Sequence, residues 1–130
     1  MRSVRLAICL MLAAWPAAAD LSRERGIAEG LVIVGIAYEI SEVCPDIDAR
    51  RLRGLRYLLA LQGAARDMGY SQAEIDAYID DDTEKDRLEA IARDRLARMG
   101  AARGDVAAHC AVGRREVAGD TQVGRLLSPR

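Results

Sequence analysis

The sequence predicts an all-α bundle of about five helices, one small domain held by a single disulfide. Three observations lead there. Apolar residues recur at spacings of three and four, and sustained apolar/polar alternation is absent, so no stretch reads as a strand. Helix breaks fall at Cys44-Pro45, at Gly69 ahead of Ser71-Gln72-Ala73-Glu74, and at Gly100. Cys44 and Cys110 are the two cysteines left once an N-terminal leader is set aside.

That leader is residues 1–19. Arg2 and Arg5 form a positive start, Leu6–Leu12 a short apolar run, and Ala17-Ala18-Ala19 a small-residue cleavage site before Asp20. This order is that of a secretory signal peptide cut after Ala19, and it takes Cys9 with it. A retained membrane anchor is disfavoured because Trp15-Pro16 ends the run well below the roughly 20 residues of a span. A lipid anchor at Cys9 is disfavoured by the branched Ile8 just before it. The expected mature chain, residues 20–130, is exported to the periplasm of a Gram-negative cell.

Residues 20–130 are enough for one domain that buries only about two-thirds of its unfolded surface. Seventeen basic residues face 20 acidic ones there. This mildly acidic balance gives no footprint for nucleic acid. Lys85 is the only lysine, phenylalanine is absent, and there is no internal repeat.

Helix one is expected over Glu24–Val43. Ile27, Leu31, Val34 and Tyr38 form one stripe, and Val32, Ile33, Ile36 and Ile40 cover much of the other side. A helix apolar on both sides must be enclosed, by its own domain or by a second copy. Gly26-x-x-x-Gly30 fits a dimer seam, but also close packing within one small bundle, which is the simpler reading. Cys44-Pro45 ends the helix, and Asp46 or Asp48 can cap the next.

Helix two is expected over Ala49–Met68, with Leu52, Leu55, Leu58, Leu59 and Leu61 as its apolar arc and Gly69 as its stop. Ser71 and Glu74 make a capping box for helix three, where Ile75, Tyr78 and Ile79 are spaced to face the core. Helix four is expected over Thr83–Met99 with a stripe of Leu88, Ile91, Ala92 and Met99. Glu89–Arg93 and Asp94–Arg98 are outward i, i+4 pairs on it. Helix five runs from near Asp105 to Ala118, and Val106, Cys110, Gly113 and Val117 share a face, so Cys110 points inward. Residues after Ala118 read as a short turn and a tail, and the sequence leaves open whether that tail is free or docks on the bundle.

A Cys44–Cys110 bond would tie the first helix to the last. The chain-entropy model gives a loop of that length about 4 kcal/mol, a large share of a small domain's stability. The rivals are two buried thiols that never meet and a redox pair, the latter without a C-x-x-C motif.

Other chemistry is thin. His109 is the only histidine, which excludes a multi-histidine metal site within one chain, and it reads as a surface residue without a role. Asp80, Asp82 and Glu84 alternate like EF-hand ligands. That loop would need glycine and glutamate where Lys85 and Ile91 stand, so capping by Asp82 or Thr83 is the better reading. Arg50, Arg51, Arg53 and Arg56 crowd the start of helix two beside Tyr57. They could receive an anionic ligand or acidic partner, with solvated surface as the default. No phosphate-cradling loop, nucleophile elbow or haem motif is present.

Four segments carry a resemblance. They are Ala37-Tyr38-Glu39-Ile40, Ile47-Asp48-Ala49-Arg50, Met68-Gly69-Tyr70-Ser71 with Glu74-Ile75, and Cys110-Ala111-Val112-Gly113-Arg114 with Glu116. In these the chain resembles a family of small exported bacterial proteins catalogued as domain of unknown function 5333. The resemblance implies an exported single domain and no substrate, cofactor or catalytic residue.

The expectation is therefore a non-enzymatic binding or interaction protein, with no metal, cofactor or catalytic residue assigned. Its possible interaction surface comprises Ile27, Leu31, Val34 and Tyr38 on helix one, together with Arg50 and Arg53 from the arginine cluster at the start of helix two. The partner is an unknown protein or a second copy, and neither nucleic acid nor a stable membrane anchor is expected. The alternatives are an acid-stress holdase, which would reach about +18 with its carboxylates protonated, and a carrier of a small hydrophobic ligand.

Overall fold

Val32, Ile36 and Ile40 lie one helical turn apart, as do Ile27 and Leu31, so a helix through this segment needs cover on two sides. In the computed structural model, which describes residues 20–130, the rest of the chain supplies that cover. The leader assigned to residues 1–19 lies outside the described residues. Asp20 caps a single 3-10 turn, Leu21–Arg23, by accepting from Ser22 N at 3.0 Å. The central helix α1 follows at Arg25–Val43. A short strand β1 (Ile47–Ala49) leads to α2 (Arg51–Asp67), α3 (Gln72–Ile79), α4 (Asp82–Arg98), α5 (Val106–Ala118), α6 (Gln122–Arg125) and strand β2 (Leu127–Pro129). Helix α1 packs against α4, α5, α2 and α6.

Two apolar clusters result. The larger joins Ile36 and Ile40 to Ile47, Leu96, Val112 and Leu127, around the bond between Cys44 and Cys110. The smaller closes the first half of α1 with Leu21, Ile27, Ala65, Tyr70 and Ile75. Gly69 and Gly100 stop α2 and α4 in the left-handed region, with φ of 98° and 107°. The residue after each reaches back to the helix, Tyr70 N to Ala65 O and Ala101 N to Leu96 O. The expected capping box at Ser71 and Glu74 is present.

Several expectations are corrected. Strands do occur. Ile47 pairs with Pro129, Asp48 with Ser128 and Ala49 with Leu127, antiparallel. Three residues are too few to show an alternation, and the partner lies at the other end of the chain. The segment after Ala118 is docked and not a free tail, because Val123, Leu126 and Leu127 are buried. Asp46 and Asp48 do not cap α2, whose N-cap position is Arg50 without a side-chain cap. The Asp48 carboxylate instead accepts two hydrogen bonds from Arg130, at 2.9 and 2.7 Å. The cap of α4 is Asp81, not Asp82 or Thr83, and it accepts from Glu84 N.

His109 is buried, not on the surface, and its Nδ1 lies 2.6 Å from the carbonyl of Asp105. Ile79 and Val106, expected inward, are half exposed, while Leu96, left out of the α4 stripe, is fully buried. Gly30 is covered by Leu61 of α2, and Gly26 has nothing near it. Gly30 thus serves packing within the bundle, and Gly26 takes no part in it.

Candidate functional site

The leucines of α2 are too many for one face. At about 100° per residue, Tyr57, Leu61 and Ala65 form one stripe, and Leu52, Leu55 and Leu59 another on the far side. The first faces α1, with Leu61 against Gly30 and Ala65 buried. The second faces solvent, with Leu52 74%, Leu55 53% and Leu59 55% exposed. The expected five-leucine core arc is therefore corrected. A helix shows its neighbour only part of its circumference, and the stripe ending in Ala65 fills that part.

The arginines follow the same split. Arg50, Arg51, Arg53, Arg56 and Arg66 are all exposed. Arg53 donates to the carbonyl of Arg125 at 3.1 Å, and Arg66 to Gln72 Oε1 at 2.6 and 3.1 Å. Among the described residues, none of these five lies within 4.0 Å of a carboxylate. Lys85 and eight arginines elsewhere do.

Two half-open apolar grooves run along α1. The first, about 320 Å³, lies between α1 and α4 under the end of α3, against Leu31, Val34, Tyr38, Leu88 and Ala92. Charged Glu39, Lys85, Glu89 and Arg93 form its rim. The second, about 270 Å³, lies between α1, α2 and α3, against Leu21, Ile27, Leu58, Leu59 and Ile75. Leu31, Tyr78 and Ile79 line both. Sequence reasoning missed Tyr78 and Ile79 here because a core-facing period does not reveal which positions end at a groove.

Tyr78 stands where the grooves meet. Its hydroxyl donates to Glu84 Oε1 at 2.8 Å, and Arg87 donates to the two oxygens of Glu84 at 2.8 and 2.5 Å. Burial, then Glu84, push the Tyr78 phenol far above its ordinary range, so it stays neutral. Arg87 holds the Glu84 carboxyl below the usual carboxylate range, with Tyr78 adding to the effect. Among the described residues every buried side-chain nitrogen or oxygen has a partner. The buried polar atoms of the groove walls are therefore satisfied, and the charged groups within reach of a bound molecule are those of the rim.

The predicted site residues are distributed as follows. Cys44 and Cys110 are bonded, Cα to Cα 5.1 Å, across a separation of 66 residues. Of the α1 residues, Ile27 is buried, Leu31 and Val34 are half buried in groove walls, and Tyr38 is 59% exposed at the edge of the first groove. Arg53 belongs to α2 and Arg50 is its N-cap residue, so neither lies on α1. The apolar stripe of helix one is thus mostly covered except at Tyr38, and most of the exposed apolar residues lie on α2 and at its end, with Ile79 on α3 and Val106 on α5. Donor atoms of Cys44, Asp46 and Cys110 lie within 4.8 Å of one another, but both sulfurs are spent in the disulfide and offer no thiolate. For the same reason Cys110 is no nucleophile for His109.

A family model described as a family of unknown function (DUF5333) matches residues 19–128. No curated protein and no solved structure matches the chain.

Proposed function

The chain belongs to the family of unknown function DUF5333, and since that membership brings no activity with it, we propose from its grooves that it is a non-enzymatic binding protein for a linear apolar ligand of the acyl-chain type. The observation that carries this reading is the pair of apolar grooves that share Leu31, Tyr78 and Ile79. Their volumes suit a single chain, and the larger falls in the usual range for ligand pockets. The satisfied Tyr78–Glu84–Arg87 group supports binding by burial over polar recognition.

The test is a titration with straight-chain alkanoates of increasing length. Affinity should rise by about fourfold per added methylene until the groove is filled, and then level off. Ile79→Ser, at an exposed position that lines both grooves, should lower affinity by about tenfold and leave the melting temperature unchanged. Affinity that does not depend on chain length, or that ignores Ile79→Ser, sinks the reading.

We also place the mature protein outside the reducing cytoplasm, as an exported, periplasmic chain. The leader pattern of residues 1–19 and the Cys44–Cys110 bond support this. Mass spectrometry of unreduced protein recovered from cells should give a chain starting at Asp20, lighter by two hydrogens than its thiol form. An uncleaved chain or two free thiols would overturn it.

A further inference from the structure

Helix α2 combines an outward row of leucines with unpaired positive charge, and we propose that this face docks on a bilayer surface that carries anionic lipid. Leu52, Leu55 and Leu59 form the row, each more than half exposed. Arg51 and Arg56 lie about 40° beyond it on either side. The helix carries no acidic residue before Asp67. Asp48, which feels Arg51, and Asp120, which feels Arg53, are each ion-paired with another arginine, Arg130 and Arg125. The positive charge on this face is thus left for an external anion.

The arrangement matches a lipid surface in cross-section. Leucines on the outermost line enter the acyl boundary, while arginines at the two borders extend to the phosphate level. Guanidinium groups accept no second cation, so two copies meeting through α2 would set like charges against each other. A bilayer supplies the opposite charge and the apolar layer together. Among the described residues no helix is long and apolar enough to cross a membrane, so the association is peripheral. Three leucines and a few arginines make it reversible and sensitive to salt. Leu59 also walls the second groove, which sets that groove beside the lipid. The docking rests on α2 alone and holds whether or not the groove takes a ligand.

Flotation of the purified protein with vesicles tests it, comparing phosphatidylcholine alone with phosphatidylcholine plus phosphatidylglycerol. The protein should float with the anionic vesicles only and be released by high salt. The pair Arg51→Gln, Arg56→Gln and the triple Leu52→Ser, Leu55→Ser, Leu59→Ser should each weaken binding by about tenfold or more. All these positions are exposed, so a thermal melt should show both variants folded. Equal binding to neutral vesicles, equal binding by either variant, or no binding at all overturns the proposal. So does a dimer in the absence of lipid that the leucine triple dissolves, which would make the face a contact between copies.

Discussion

Gly124 lies so close to the backbone of Glu116 that a β-carbon at position 124 would overlap the Glu116 carbonyl. Helix α6 folds back onto α5 at that point. Thr121 N donates to Glu116 O, and the Thr121 hydroxyl accepts from Gly124 N at 3.0 Å. The obstacle is backbone, which cannot turn aside as a side chain can. Gly124→Ala should therefore cost about 2–4 kcal/mol in a denaturant melt. Gly54→Ala and Gly63→Ala, inside α2 with open space around them, should each gain about 0.5–1 kcal/mol. Similar outcomes at all three positions would contradict this packing.

Leu127 is fully buried in β2, against the larger cluster. Leu127→Ala should lower stability by about 2–5 kcal/mol. Removing residues 119–130 would also uncover Ile47 and leave Asp48 without Arg130, and should abolish the cooperative transition. A truncated chain that melts like the full one would show that the segment after Ala118 does not dock.

The bond between Cys44 and Cys110 closes a 66-residue separation. Replacing both with alanine should cost about 4 kcal/mol, mainly by freeing the unfolded chain, and lower the melting temperature on the order of 15 °C. Reduction of the wild-type protein should have a similar effect. A calorimetric shift of only a few degrees would assign the cross-link a minor role.

Acid should destabilise the fold through named pairs. Glu29 is held below the ordinary carboxylate range by Arg95, Glu84 by Arg87, Asp48 by Arg130 and Asp120 by Arg125. The unfolded chain therefore takes up protons at higher pH than the folded one. The stability these groups add is complete above about pH 5 and lost as the pH falls through about 4 and below. Urea midpoints measured from about pH 6 to about pH 3 should fall with an unchanged slope, and a flat profile would refute the assignment. The acid-activated holdase reading makes a further demand, that clients be kept from aggregating at about pH 3.

The two apolar faces of α2 should respond oppositely. Leu52→Ser should change stability by less than about 0.5 kcal/mol. Leu61→Ala, which uncovers Gly30, should cost about 2–4 kcal/mol. Equal losses would mean that the outward row is covered in the folded protein.

The helical class, the breaks at Cys44-Pro45, Gly69 and Gly100, and the capping box at Ser71 were legible in the sequence. Each depends on residues within one or two turns of each other, where backbone sterics and local hydrogen bonds decide. The inward placement of Cys110 was legible too, since periodicity alone sets it on the apolar side of α5.

What remained hidden depends on partners far along the chain. Ile47–Ala49 is a strand because Leu127–Pro129 lies beside it, and Asp48 is no cap because Arg130 reaches it first. His109 is buried by its neighbours in space, which its place next to Cys110 in the sequence does not disclose. The candidate site shows the same division. The arginines at the start of α2 could be seen as a cluster, but not that they lack carboxylate partners. The leucines of α2 could be seen as apolar, but not that only one of their two stripes meets α1. Local sequence determines which segments are helical and roughly where they end. Only the packing of α1 against its neighbours decides which apolar face is consumed in the core and which is left exposed, because burial is a property of the whole arrangement and not of any one helix.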